Sequence, residues 1–165
     1  MAMLLYACPY RSTYLLEAEP TQALDSNLVG KWAAFIKKNN TEKEEPVKLI
    51  ITAQADNRYA FAITGYIDEL RPHQLFTGDS IKGTAFVTLL ANRSFLNVQI
   101  KAYQYIAELQ WHKGKPSILP IAENFTNKLI KNNQELKMAL EHHCKVRFQP
   151  TYDEAFCLRD MVRVN

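Results

Sequence analysis

The chain has 165 residues, with 20 Lys and Arg against 17 Asp and Glu for a net charge of +3, and 47% hydrophobic residues. This length suggests one domain, able to bury roughly 70% of its extended-chain surface without help from a metal or disulfide, and the composition excludes a disordered or collagenous chain. The basic excess is small and spread along the chain, giving no stripe for nucleic acid, and no run of 18 apolar residues predicts a membrane-spanning helix.

Met1 to Ala7 reads MAMLLYA and precedes Cys8. It lacks the basic start and the apolar length of a full secretory signal. Leu5-Tyr6-Ala7-Cys8 nevertheless resembles the bacterial lipobox, although Tyr6 is bulkier than that pattern prefers. The resemblance implies a lipoprotein acylated at Cys8, its signal shortened at the front, and held at the periplasmic face of a membrane in the bacterial cell envelope. Buried acyl chains contribute about 0.8 kcal/mol per methylene, so two or three chains anchor stably. The alternative is a cytoplasmic chain with an unmodified Cys8. Pro9 to Ser26 holds two prolines, three acidic residues and no periodicity, which predicts an extended tether. The expected organisation is therefore a signal remnant and tether over 1–26 and a folded domain over 27–165.

From Asp25 onward the pattern is that of short strands. Leu28 to Ile36 is the first, and Gly30-Lys31-Trp32 lies at its start. Val47 to Ala53 is β-branched and apolar. Tyr59, Phe61 and Ile63 alternate with Ala60, Ala62 and Thr64, after a predicted hairpin turn at Ala55-Asp56-Asn57-Arg58. Strands follow over 83–90 and 95–100, with a turn at 91–94. Tyr103, Tyr105, Ala107, Leu109 and Trp111 share one face of the next strand, opposite Gln104, Glu108, Gln110 and His112, and a turn at 112–115 leads into 117–121. The period then changes. Leu136, Ala139, Leu140, His143 and Cys144 make one apolar stripe on a helix capped at Asn133. Asp153 to Val164 alternates again, placing Phe156, Leu158, Val162 and Val164 on one face and Cys157, Arg159, Met161 and Arg163 on the other. The prediction is mainly β: an antiparallel barrel of about eight strands, one C-terminal amphipathic helix and a closing strand.

The Gly30-Lys31-Trp32 motif at the first strand is similar to the G-x-W of lipocalins and related calycin barrels. That resemblance covers about residues 27–164 in outline. It implies that Trp32 closes one barrel end beneath a basic side chain from the last strand, Arg159 or Arg163, in a cation–π contact worth about 0.5–2 kcal/mol.

No catalytic or phosphate-binding motif occurs, so no enzyme and no cofactor are expected. Glu42, Glu44 and Glu45 read as a solvated hairpin tip, and Asp68-Glu69 as loop. His142, His143 and Cys144 are adjacent, with His73 and His112 elsewhere; adjacent helical positions diverge by about 100°, which argues against a metal site. In an oxidising periplasm Cys144 and Cys157 are the candidate disulfide, the alternative being two separate thiols. Tyr59, Phe61, Tyr103, Tyr105 and Trp111 are the candidate ligand-lining residues, with tyrosine hydroxyls to orient a polar head and Ala60, Ala62, Ala85 and Ala107 to leave room inside. A filled core is the competing reading of the same residues. The expected function is a cell-envelope lipoprotein that binds a small hydrophobic or amphiphilic ligand in its barrel. The alternative is a non-enzymatic module that contacts or inhibits an envelope protein through the charged loops Lys37–Pro46 and Glu69–Ser80.

Overall fold

A computed structural model describes residues 9–37, 44–65, 74–146 and 151–165, without the side chains of Lys37, Glu44 and Glu45. Cys8 and His73 lie outside these residues, as do Glu42, Asp68 and Glu69. The described residues form ten strands: β1 (Arg11–Ser12), β2 (Gly30–Lys37), β3 (Glu44–Ala53), β4 (Tyr59–Gly65), β5 (Phe76–Thr77), β6 (Ser80–Leu90), β7 (Arg93–Ile100), β8 (Tyr103–His112), β9 (Lys115–Pro120) and β10 (Val162–Val164). All pairings are antiparallel, in the order β1-β8-β7-β6-β4-β3-β2-β10, with β9 also on β8 and β5 on β6.

The turn chemistry explains the meander. Asp56 and Asn57, Ala91 and Asn92, and Lys113 and Gly114 are pairs of consecutive residues with positive φ. That pattern belongs to the mirror-image hairpin turns whose twist matches that of the strands.

The hydrogen-bonded ladder does not close on itself. Between β9 and β10 the chain is carried by isolated bonds: Ile118 and Leu158 exchange N–H···O bonds of 2.8 and 2.9 Å, and the Met161 N–H donates to the Pro116 carbonyl at 2.8 Å. The expected continuous strand over 153–164 is thus broken into a 3-10 turn at Glu154–Phe156, the bridge at Leu158, and β10. Asp160 has φ +46°, which resets the alternation. Leu158 and Met161 are both buried, while Val162 and Val164 are exposed. The predicted grouping of Leu158 with Val162 and Val164 fails for that reason.

Two cores flank the sheet. The inner one gathers side chains from β2 to β9, including Trp32, Leu49, Ile81, Leu96 and Ala107. The outer one lies where helix α1 (Asn133–Val146) and the N-terminal arm cover β6, β7 and β8; it contains Leu16, Phe95, Ile106, Leu136 and Leu140. The helix stripe faces the sheet as predicted, but the cap is Asn132, whose Oδ1 accepts the Glu135 N–H at 2.9 Å.

The segment expected to be a tether is docked from Pro9 onward. Leu16 is fully buried, and its N–H donates to Asn97 Oδ1 at 2.7 Å. Burial acts to raise the Glu17 pKa, yet hydrogen bonds from Thr21, Lys137 and Thr88 outweigh it and hold the carboxyl below its usual value. The segment carries too few apolar residues to signal a core element, so its docking was not legible from periodicity.

Asp153 sets a pH dependence on the C-terminal return. Its side chain is 2% exposed, Oδ2 has no partner among the described residues, and burial pushes its pKa up to about 6 from 3.8 even though the Ala155 N–H draws it down. Between about pH 4 and 6 the folded state keeps a proton that the unfolded state releases, so this contribution is full below pH 4 and is lost as pH rises through 6. Relative to Asp153→Asn, the wild type is expected to lose on the order of 2–3 kcal/mol between pH 4 and pH 7. Urea unfolding of both proteins across that range measures it, and parallel curves would refute it.

Candidate functional site

Inside the sheet lies a cavity of about 140 Å³. Its position follows from the register. Tyr59 pairs with Ala85, Ala85 with Val98, Val98 with Tyr105, and Leu96 with Ala107, and directly opposed residues point to the same side of a sheet. All six line the cavity, together with Ile51, Phe61, Leu75, Ile118 and Leu158 among others. The alternation of small Ala85 and Ala107 with larger neighbours leaves the space unfilled. Ala60 and Ala62 contribute nothing to it, since they lie one residue out of phase with Tyr59, Phe61 and Ile63.

Of the candidate lining residues, Tyr59, Phe61 and Tyr105 reach the cavity. Tyr103 and Trp111 are on the inward face but do not line it. Tyr103 lies under the Arg11 guanidinium, with Cζ 4.8 Å from the ring centroid. Trp111 packs edge-on against Trp32, with centroids 6.4 Å apart and planes at 73°. The Tyr59 hydroxyl is occupied as well: it accepts the Asp25 N–H at 2.7 Å and fastens the lead into β2. Burial raises the Tyr59 pKa, so the phenol that meets Asp25 is neutral. Leu75, Ile118 and Leu158 line the cavity without having been singled out, because each belongs to a short or broken stretch whose alternation is too brief to assign a face.

One end of the inner core is sealed by Trp32. Its ring is 3% exposed, Nε1 donates to the Leu28 carbonyl at 2.8 Å, and Arg163 Cζ stands 4.5 Å from the ring centroid. Arg163 also donates from Nη1 to the Val29 carbonyl and from Nη2 to the Asn27 carbonyl, at 3.1 and 2.7 Å. Gly30 has φ +149°, and a Cβ there would fall 2.5 Å from Arg163 Nη1. The glycine of the motif is therefore what lets the guanidinium lie across Trp32. Arg159, the other candidate partner, points away and pairs with Glu154 at 2.8 Å, because the Asp160 kink separates it from Arg163.

The cysteines do not pair. Cys144 and Cys157 are free thiols. Cys144 packs against the outer core, whereas the buried Cys157 donates from Sγ to the Asp153 carbonyl at 3.3 Å. Burial pushes the Cys157 thiol up to about 12 and also raises that of Cys144, leaving both poor nucleophiles. His143, on the stripe that faces the sheet, is a buried acceptor, taking the Thr151 N–H on Nε2 at 2.9 Å. Among the described residues no three His, Cys, Asp or Glu side chains could hold a metal, and no helix is long and apolar enough to cross a membrane. No family model, curated protein or solved structure matches the chain.

Proposed function

We propose that this chain is a lipocalin-like β-barrel of the bacterial cell envelope, tethered through an acylated Cys8, that takes up a small hydrophobic or amphiphilic molecule in its interior and performs no catalysis. The observation that carries this reading is the 140 Å³ cavity, whose lining is apolar apart from two tyrosines. An apolar cavity of about 150 Å³ stays dry and can admit benzene-sized guests, so a space of this size suits a short alkyl or single-ring group. It is smaller than the few hundred Å³ of most small-molecule sites, which limits the ligand or the part of it that enters. Barrel closure is supported by the bridging of the 151–164 return between β9 and β2. The lipocalin resemblance is supported by Arg163 lying over Trp32 beside Gly30.

The test is calorimetric titration with n-alcohols from butanol to octanol. Affinity should rise about fourfold per methylene, the effect of about 0.8 kcal/mol for each CH₂ buried, and level off near six carbons as the cavity fills. Ala107→Phe should abolish binding and keep the fold by circular dichroism. Absence of binding, or affinity independent of chain length, would transfer support to the alternative of an envelope interaction module.

A further inference from the structure

The interior-facing positions of the strands are almost wholly apolar, and among the described side chains two positive charges stand on that face. One is Arg163, opposite Trp32 in the register; both of its terminal nitrogens are occupied by backbone carbonyls at the sealed end. The other is Arg11. It pairs in register with Tyr105, so its side chain leaves the backbone on the same side as a ring that lines the cavity. Pro9, two residues earlier and hence on the same side of an extended chain, lines the cavity too. The Arg11 backbone thus lies beside two cavity-lining residues, near the start of β8 and away from the Trp32 end.

Arg11 is exposed, and its guanidinium lies over the Tyr103 ring, with no carboxylate partner among the described residues. A cation–π contact uses none of the five guanidinium N–H groups as hydrogen-bond donors to a carboxylate, so they remain available to one. Lys101, also at this end in the β7–β8 turn, donates to the Gln74 carbonyl at 2.9 Å. The arrangement is an apolar cavity with a cation that has no carboxylate partner among the described residues rooted between two of its lining residues, Pro9 and Tyr105.

We propose that the ligand is a short-chain carboxylate whose tail enters the cavity and whose head is received by Arg11. A carboxylate fits because its two oxygens match the fork of a single guanidinium. A phosphate dianion would call for several cations converging on it, and Lys101, the other cation named at this end, is turned to the Gln74 carbonyl. The identification rests on the cavity reading above and deepens it.

The experiment compares hexanoate with 1-hexanol, which share a tail and differ in the head, on the full chain by isothermal titration at neutral pH and low salt. Arg11→Gln should weaken hexanoate about tenfold, as expected for losing one charge-assisted contact, and change 1-hexanol by less than about twofold; Arg11→Lys should recover part of the hexanoate affinity. Circular dichroism and the melting temperature should be those of the wild type, since Arg11 is exposed. If Arg11→Gln weakens both ligands equally or neither, the head-group assignment is wrong while the cavity reading survives. If the wild type binds neither ligand, the cavity reading falls and the assignment with it.

Discussion

Trp32→Ala is expected to lower the free energy of unfolding by about 4 kcal/mol, which for a chain of this size corresponds to roughly 10 °C in melting temperature. The ring is 3% exposed, so its removal leaves a large void at the sealed end of the inner core. Truncating a buried tryptophan or phenylalanine costs about 3–5 kcal/mol for this reason. Three specific contacts go with it: the Nε1 bond to the Leu28 carbonyl, the Arg163 guanidinium and the edge of Trp111. The neighbours have little freedom to collapse into the gap, because Arg163 is held by the Val29 and Asn27 carbonyls. Trp32→Phe keeps the packing but loses the indole donor, and should cost less than half as much. Urea unfolding monitored by far-ultraviolet circular dichroism decides the matter; a loss below about 1 kcal/mol would mean that the ring does not seal the core.

Glu108→Ala should be of similar size, about 3–4 kcal/mol, but for an electrostatic reason. Glu108 is 3% exposed and sits on the outer face of β8. Arg93 Nη1 donates to both of its carboxylate oxygens at 2.9 and 3.1 Å. The Tyr152 hydroxyl donates to Oε2 and in turn accepts from Gln110 Nε2 at 3.2 Å. The group therefore ties together β7, β8 and the segment following the helix. Burial, and then the neighbouring Glu108, raise the Tyr152 pKa far above its usual value, so the phenol remains a donor. Removing the carboxylate leaves a guanidinium and a phenol desolvated without their acceptor, a loss worth about 3–5 kcal/mol in buried pairs; the 26% exposure of the Arg93 side chain places the expectation toward the lower end. Glu108→Gln, which keeps an acceptor for Tyr152, should recover part of it. A double-mutant cycle with Tyr152→Phe should give a coupling of about 1 kcal/mol or more, and additive losses would show that the two groups act independently.

The strands that were legible in the sequence are those with clear period-two alternation and a turn signal at each end. Tyr59 to Thr64 and Tyr103 to His112 are the clearest cases, and their inward faces are the ones expected. The asparagines at 57 and 92 fall where positive φ is needed, so the hairpins could be read from local chemistry alone. The outer face of β6–β8 was not legible. Phe86 and Phe95 are buried beside Thr88, Asn97 and Glu108, which gives strands apolar and polar on the same side. Only the helix and arm that cover them explain why polar residues stand there.

Composition and alternation determined by themselves that the chain is a mainly antiparallel sheet with a C-terminal amphipathic helix, and that Trp32 belongs near the start of the first long strand. Those are properties of neighbouring residues, set by backbone sterics and by which side of a strand meets water. Tertiary structure alone decided that Arg163 and not Arg159 covers Trp32, that Tyr59 is bonded to Asp25, that the two thiols stay apart, and that Arg11 is paired in register with Tyr105 of the cavity wall. Each of these joins groups brought together by strand pairing or by a single backbone reversal such as Asp160. A change of register by one residue would move every such side chain to the other face of the sheet, and local patterns carry no record of that long-range alignment.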